Sequence, residues 1–388
     1  MENVLAIAAP GQGAQTPGFL APWLDLPEVA RRLRWASAVV GRDLVALGTT
    51  GTEDEIRDTA ACQPLLVATG IAVGRELLGD EAVAPWYAGH SVGELTAAAL
   101  AGAITDETAL VLARERGAAM ATAAAERPTG MSAVLGGAIE KVEAAVAEAG
   151  LEIANHNGAG QVVAAGDLEA LATLPARLDG IARVLPLKVA GAFHTSAMAS
   201  AQERLAALAG SAPPADPAGR LVSNADGALV ATGADFLARF VRQVTSPVRW
   251  DLCMASLHES GVTAVIELPP AGTLTGLVKR ELREATAVAL RTPDDLPAAR
   301  RAVAEHAETY VGHEPAWRVV VAPGAGTFIP STAERFAAGA PLGTVTGRRE
   351  TTEVVAPYGG VVVEWLALAG DPVKPGQPLV RLHPLGAA

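Results

Sequence analysis

Pro85-Trp86-Tyr87-Ala88-Gly89-His90-Ser91-Val92-Gly93-Glu94, continued by Leu95-Thr96-Ala97-Ala98-Ala99-Leu100-Ala101, is the stretch from which the rest of the chain is read. A brief apolar run, Pro85 to Ala88, meets Gly89, and an Ala- and Leu-rich segment, Glu94 to Ala101, follows. A short buried strand, a tight glycine turn and a helix in that order predict a parallel α/β sheet. Gly89-His90-Ser91-Val92-Gly93 also matches Gly-x-Ser-x-Gly, a strained strand-to-helix turn that pushes a serine hydroxyl into the open. The helix that follows brings its N-terminal amides close to any oxyanion formed at Ser91. The same three residues fit a plain glycine turn in a core, so the motif needs partners.

Outward from this stretch, Val4 to Ala9 is a second buried strand, closed by Pro10-Gly11, and Leu65 to Leu78 has helical spacing. Residues 128–190 read as an insert. Met131–Leu135 is strand-like, 138–149 helical, Leu151–Ala154 and Gln161–Ala165 strand-like, 167–178 helical, and Ala182–Leu187 strand-like. That βαββαβ order is the ferredoxin-like split unit. The α/β pattern resumes afterwards, with Val262 to Leu268 as a strand, so residues 1–127 and 191–291 form the core domain. Residues 292–316 read as a linker, a terminal helix or both. From 317 to 388 Val, Gly and Pro dominate, and a pattern repeats. Val321-Ala322-Pro323 with Gly326 and Gly339-Ala340-Pro341-Leu342 recurs as Val355-Ala356-Pro357 with Gly360 and Gly376-Gln377-Pro378-Leu379. The offset is 34 residues at the start and 37 at the end. A repeated short β unit predicts a small pseudo-symmetric barrel or sandwich.

A serine nucleophile needs a base. Of the seven histidines, His258, His306 and His313 lie in charged segments, and His90 adjoins the serine with its side chain directed away. His194, in Ala192-Phe193-His194-Thr195, directly follows the insert, where a loop re-enters the core domain, and is the best placed. Its position, before any C-terminal segment of the core, departs from the Ser-acid-His order of α/β-hydrolases.

Composition narrows the field. Half of the 388 residues are hydrophobic and 19% are charged, enough for large cores. The net charge of −12 argues against a nucleic-acid partner. Cys62 and Cys253 are too few and too far apart for a disulfide scaffold or a CxxC metal site, which fits a reducing compartment. No basic segment precedes the apolar N-terminal stretch, and Pro and Gly break up the longest charge-free run, Asn3 to Leu24. The expectation is a soluble cytoplasmic protein without a membrane partner.

Eight segments in order resemble malonyl-CoA:acyl carrier protein transacylases and the acyltransferase domains of polyketide synthases. They are Pro10 to Gln15 (PGQGAQ), Gln63-Pro64, Gly89 to Glu94 (GHSVGE), Arg114 to Gly117 with Met120, Asn155 to Val162 (NHNGAGQV), Phe193-His194, Gln243 to Trp250 (QVTSPVRW) and Glu267 to Arg280 (ELPPAGTLTGLVKR). The resemblance covers residues 3 to 290. It implies Ser91 as the acyl acceptor and His194 as the base for Ser91 and then the acid for the leaving thiol. It implies a backbone carbonyl at Gln243, in place of a carboxylate, to orient the histidine. It also implies Arg116 as the bidentate partner of the acyl carboxylate, and Gln12 with the Val92 N–H as the oxyanion hole. Phe193 and Val92 resemble malonyl-selecting rather than methylmalonyl-selecting sequences. A methyl is worth only about 1–3 kcal/mol, so this is a preference. The implied reaction is a ping-pong exchange of malonyl from malonyl-CoA to the phosphopantetheine thiol of acyl carrier protein, in fatty acid biosynthesis, with no metal and no bound cofactor. A stand-alone acyltransferase of a polyketide pathway and a serine hydrolase are the alternatives. Ala8-Ala9 and Pro269-Pro270-Ala271-Gly272 depart from the family pattern.

Val354 to Leu382 resembles the second half of biotinyl and lipoyl carrier domains. There the modified lysine lies seven residues before the Ala of Ala-Pro, and counting back from Ala356 gives Arg349. The lysines are Lys141, Lys188, Lys279 and Lys374, the last in the wrong turn. The resemblance implies the fold, and the sequence removes the chemistry.

Overall fold

The structure, a computed structural model, describes residues 3–79, 85–307, 318–347, 350–357 and 359–384. The chain divides into two compact units, Met1–Thr309 and Tyr310–Ala388.

The strands described in the first unit are β1 (Val4–Ala9), β2 (Trp86–Gly89), β3 (Thr129–Leu135), β4 (Glu152–Gly158), β5 (Gln161–Asp167), β6 (Arg183–Pro186), β7 (Arg220–Val222), β8 (Val248–Arg249), β9 (Val262–Glu267) and β10 (Thr286–Ala289). All six residues of β1 are buried. A continuous apolar run of this kind suits a parallel strand covered on both faces. β1 is the middle strand of a sheet in the order β10-β9-β1-β2-β7, and every pairing is parallel. Ile7 pairs with Tyr87 on one side and Ile266 on the other, and Ala9 pairs with Gly89. The loops after β1 and β2 therefore leave the same carboxyl edge of the sheet, where open α/β folds bind ligands.

The turn after β2 requires its glycines because of close approach. A Cβ on Gly89 would lie 2.0 Å from the Gly93 carbonyl carbon, and one on Gly93 would lie 2.2 Å from the Ala9 oxygen. The helix Gly93–Leu100 starts there, and all eight of its residues are buried. Two long helices, Thr59–Leu78 and Asp106–Ala124, pack into the same apolar core.

The insert follows the expected order, with the helices Ile139–Glu148 and Leu168–Arg177 between its strands. Its sheet runs β6-β3-β5-β4 with antiparallel pairing, over a separate apolar core that includes Val134, Val146, Ala164 and Leu174. One strand was not foreseen. β8, from the later core segment, pairs parallel with β4, Asn155 opposite Val248, so the insert sheet is completed by the core chain. Of the two readings of 292–316, the helix is the one seen in its described part. Residues Leu296–His306 form a helix whose Leu296, Ala299, Ala302 and Val303 join the core of the first unit. Among the described residues no helix is long and apolar enough to cross a membrane.

The second unit holds β11 (Arg318–Val321), β12 (Gly326–Pro330), β13 (Arg335–Phe336), β14 (Pro341–Thr346), β15 (Thr351–Val355), β16 (Gly360–Trp365), β17 (Pro372–Val373) and β18 (Pro378–Pro384). Two four-stranded sheets form, β11-β18-β16-β13 and β15-β14-β12-β17, over a core built around Phe328, Leu342, Leu379 and Leu382. The sequence repeat explains this topology. Exchanging β11 to β14 with β15 to β18, in order, turns one sheet order into the other. Each copy gives strands to both sheets, as a swapped pseudo-twofold pair. Arg349 lies outside the described residues. Lys374 sits in the turn between β17 and β18, where its N–H bonds the Gln377 side chain.

Candidate active site

Ser91 leaves β2 with φ 54°, and His194 has φ 62°. Non-glycine residues avoid this left-handed region at a cost of roughly 1–2 kcal/mol each. Both are held there by neighbours. The Ser91 N–H donates to Asn224 Oδ1 at 2.8 Å, and Asn224 Nδ2 donates to the Gly89 carbonyl at 2.7 Å. The turn is thus clamped by a residue 133 positions away.

The strained pair is in contact. Ser91 Oγ lies 2.7 Å from His194 Nε2, and His194 Nδ1 lies 2.8 Å from the Gln243 carbonyl. A carbonyl only accepts, so Nδ1 carries the proton and Nε2 offers its lone pair to the serine hydroxyl. Burial, followed by the nearby Arg116 cation, holds His194 down at about 3. The ring is therefore neutral and able to take a proton.

Arg116 projects from the helix Asp106–Ala124 into the same place and is fully buried. Nη1 donates to Gln63 Oε1 at 2.8 Å. Nη2 donates to Gln243 Oε1 at 2.9 Å and to Ser91 Oγ at 3.2 Å. Its guanidinium carbon stands 5.3 Å from the centre of the Phe240 ring. Burial lowers it to about 10, which leaves it a cation at neutral pH. Its Nε donor is buried without a partner among the described residues. A buried cation with an unfilled donor thus stands beside the nucleophile, an arrangement with the chemistry to receive an anion.

A cavity of about 100 Å³ is lined by Gln12, Ser91, Val92, Arg116, Phe193 and His194, with Met120, Met131 and Asn155. Every site residue expected from the sequence lines it except Gln243, which works from behind through its carbonyl and its side chain. Val92 is the N-cap of the helix Gly93–Leu100. Gln12 is placed with a qualification. Its side-chain amide donates to the Arg57 carbonyl at 3.0 Å and to Thr59 Oγ1 at 3.4 Å. Any donation to an oxyanion therefore falls to its backbone N–H.

A groove of about 430 Å³ adjoins the cavity and shares Gln12, His90 and Asn155 with it. Asn157, Gln161, Gly272 and Arg280 line its far walls. His90 Nε2 lies 2.9 Å from Asn157 Oδ1, and Asn155 Oδ1 is buried without a partner. The Pro269-Pro270 loop on this side starts after Glu267, the last residue of β9, whose carboxylate accepts the N–H groups of Gly272, Leu274 and Thr275 at 2.7–2.9 Å. That cap fixes the helix Thr273–Glu281 at the groove wall.

Three residues of this network carry no role in the sequence reading: Gln63, Glu94 and Asn224. The first two stand inside quoted motifs. Asn224 follows the apolar Leu221-Val222 of β7, and the only sequence signal is a polar residue at a strand end.

Comparisons with known proteins give the family. The acyl transferase domain family matches residues 9–310. The malonyl CoA-acyl carrier protein transacylase of Mycobacterium tuberculosis is 48% identical over 299 residues, 76% of this chain and 98% of that protein. The Escherichia coli protein of the same name is 34% identical over 302 residues, with 76% and 98% covered. The crystal structure of MCAT from M. tuberculosis superposes with a TM-score of 0.73 at 48% identity, covering 76% of this chain and 99% of that one. A malonyl-transacylase solved with the type II PKS acyl-carrier protein AntF gives 0.74 at 33% identity, covering 77% and 99%. With its parallel sheet, its nucleophile turn and these matches, the chain belongs to the acyl transferase domain family.

Proposed function

We propose that this chain transfers malonyl from malonyl-CoA to the phosphopantetheine thiol of acyl carrier protein, through a malonyl ester on Ser91. The observation that carries the reading is Arg116: a fully buried cation with an unfilled Nε, bonded to the hydroxyl of Ser91. A hydrolase of neutral esters has no use for it. A planar fork against a carboxylate selects a dicarboxylic half-thioester.

His194 Nε2 takes the Ser91 proton as Oγ attacks the thioester carbonyl. The backbone N–H groups of Val92 and Gln12 receive the oxyanion. Collapse breaks the C–S bond, and the leaving CoA sulfur takes the proton from His194. The carrier thiol then gives its proton to His194 and attacks the ester; as the C–O bond breaks, Ser91 Oγ takes that proton and the hydroxyl and the neutral imidazole are restored. No metal or bound cofactor enters either half. The Asn155, Asn157 and Gln161 wall supplies amide partners for the pantetheine arm. Phe193 and Val92 crowd the acyl α-carbon and favour malonyl over branched acyl groups. The serving carrier belongs to fatty acid synthesis, with a polyketide carrier as the second reading, supported by the similarity to the AntF partner.

The insert, 128–190, is a ferredoxin-like subdomain, supported by its βαββαβ order and the sheet order β6-β3-β5-β4. The second unit is a biotinyl/lipoyl-like domain without a modifiable lysine, supported by the swapped pseudo-twofold. The place of action is the cytoplasm, supported by the two buried free cysteines. Mass spectrometry of the intact protein after mixing with malonyl-CoA tests the function. One malonyl mass is expected on wild type and none on Ser91→Ala, whereas equal labelling of both would overturn the reading.

A further inference from the structure

Glu94 is fully buried at the start of the helix Gly93–Leu100, two residues beyond Val92, and does not line the cavity. A buried carboxyl is costly unless its oxygens are occupied. Here Oε1 accepts the Asn224 N–H at 2.6 Å, and Oε2 accepts Gln243 Nε2 in a short contact. Burial pushes this carboxyl up from its ordinary range, against the pull of the Asn224 N–H and the Arg116 cation.

The consequence lies in Gln243. Its Nε2 donates to Glu94 Oε2 and also faces two oxygens that only accept, Asn224 Oδ1 at 3.1 Å and the Ser91 carbonyl at 3.4 Å. Its Oε1 is therefore turned to Arg116, where it accepts from Nη2 at 2.9 Å. The reverse amide orientation would set its oxygen against Asn224 Oδ1 and the Ser91 carbonyl at one end and an N–H against a guanidinium N–H at the other. We propose that Glu94 is a positioning residue for acyl selectivity: by fixing the Gln243 amide it aims the Arg116 guanidinium at the carboxylate of the incoming acyl group. This rests on the reading of Arg116 as the malonyl carboxylate's partner.

Glu94→Gln tests it with little change of volume. The substituted side chain can keep an acceptor on the Asn224 N–H, but it then presents an N–H to Gln243. Gln243 Nε2 then loses one acceptor and meets a donor, which weakens the hold on the amide that turns its Oε1 to Arg116. Expected is a fall in kcat/KM for malonyl-CoA of about 10- to 100-fold, from the size of a lost hydrogen bond to a charged group. It should be carried mainly by KM, with acetyl-CoA transfer within about 3-fold of wild type. In an Arg116→Ala background the same change should leave the malonyl-to-acetyl ratio where Arg116→Ala alone puts it. An equal fall for both acyl groups, an unchanged ratio, or a full further fall without Arg116 each overturns the proposal. If Glu94→Gln does not fold, judged by circular dichroism, Gln243→Met removes the relay instead and should lower the same ratio. An unchanged ratio there also overturns it. A wild type that takes no malonyl on Ser91 would instead refute the functional reading, and that result is distinct from all of these.

Discussion

The two units keep their interiors differently. The core of the first contains Gln63, Glu94, Arg116, Asn157, His194, Asn224, Gln243 and Glu267, all buried. Among the described residues of the second unit no polar or charged side chain is buried to that degree, and its core is Phe, Leu, Val and Ala. Burying polar groups disfavours folding unless each finds a partner, so a chain concentrates them where chemistry demands it. Their joint presence in the first unit, and their absence from the described core of the second, separate the two interiors.

The sharpest way to break that contrast is Ser91→Ala, which should abolish malonyl attachment and turnover in the first unit, read by intact mass and by a carrier-protein acylation assay. On the other side, Phe328→Ala removes a fully buried ring that lies 5.9 Å from Trp365. It should destabilise the second unit by about 3–5 kcal/mol, as seen by hydrogen exchange, and leave malonyl transfer intact. A parallel loss of transfer would show that the apolar core supports the site after all. Arg116→Ala should lower malonyl transfer by about 2–5 kcal/mol in kcat/KM and spare acetyl transfer. A smaller effect is expected from a chain ending near Pro315. It should transfer malonyl at roughly normal turnover, provided circular dichroism shows that it is folded. The smallest is a flat line. Because His194 is held at about 3, kcat/KM should not fall as the pH drops through the ordinary histidine value of 6.5. An acid limb at 6.5 would mean that the base is more solvated than its burial indicates.

Three strands of the parallel sheet were legible because each is a short apolar run next to Gly or Pro, as with Val4–Ala9, whereas the edge strands β7 and β10, three and four residues long, were not. The nucleophile turn was legible because close approach admits only glycine at 89 and 93. β8 was not, since the two residues Val248-Arg249 carry no periodicity and their partner lies in the insert. The helix Leu296–His306 carries a buried apolar face at Leu296, Ala299, Ala302 and Val303, and its charged neighbours are why the sequence left a linker and a terminal helix both open. The family resemblance supplied roles for Ser91, His194 and Arg116, and the structure brings those three within hydrogen-bond reach. The clamp through Glu94, Asn224 and Gln243 spans 130 to 149 residues of chain. No local pattern encodes which way an amide faces, and only the folded packing decides it.

The left-handed backbone at Ser91 and His194 has a meaning for drift under mutation. Ser91→Gly would release the roughly 1–2 kcal/mol held in that turn, offset by about 0.4–1 kcal/mol of extra freedom in the unfolded chain. The same holds for His194→Gly. At these two positions, then, backbone preference alone leads toward sequences that fold as well or better and do nothing. Selection on turnover keeps the serine and the histidine in place, against the local preference of the chain that carries them.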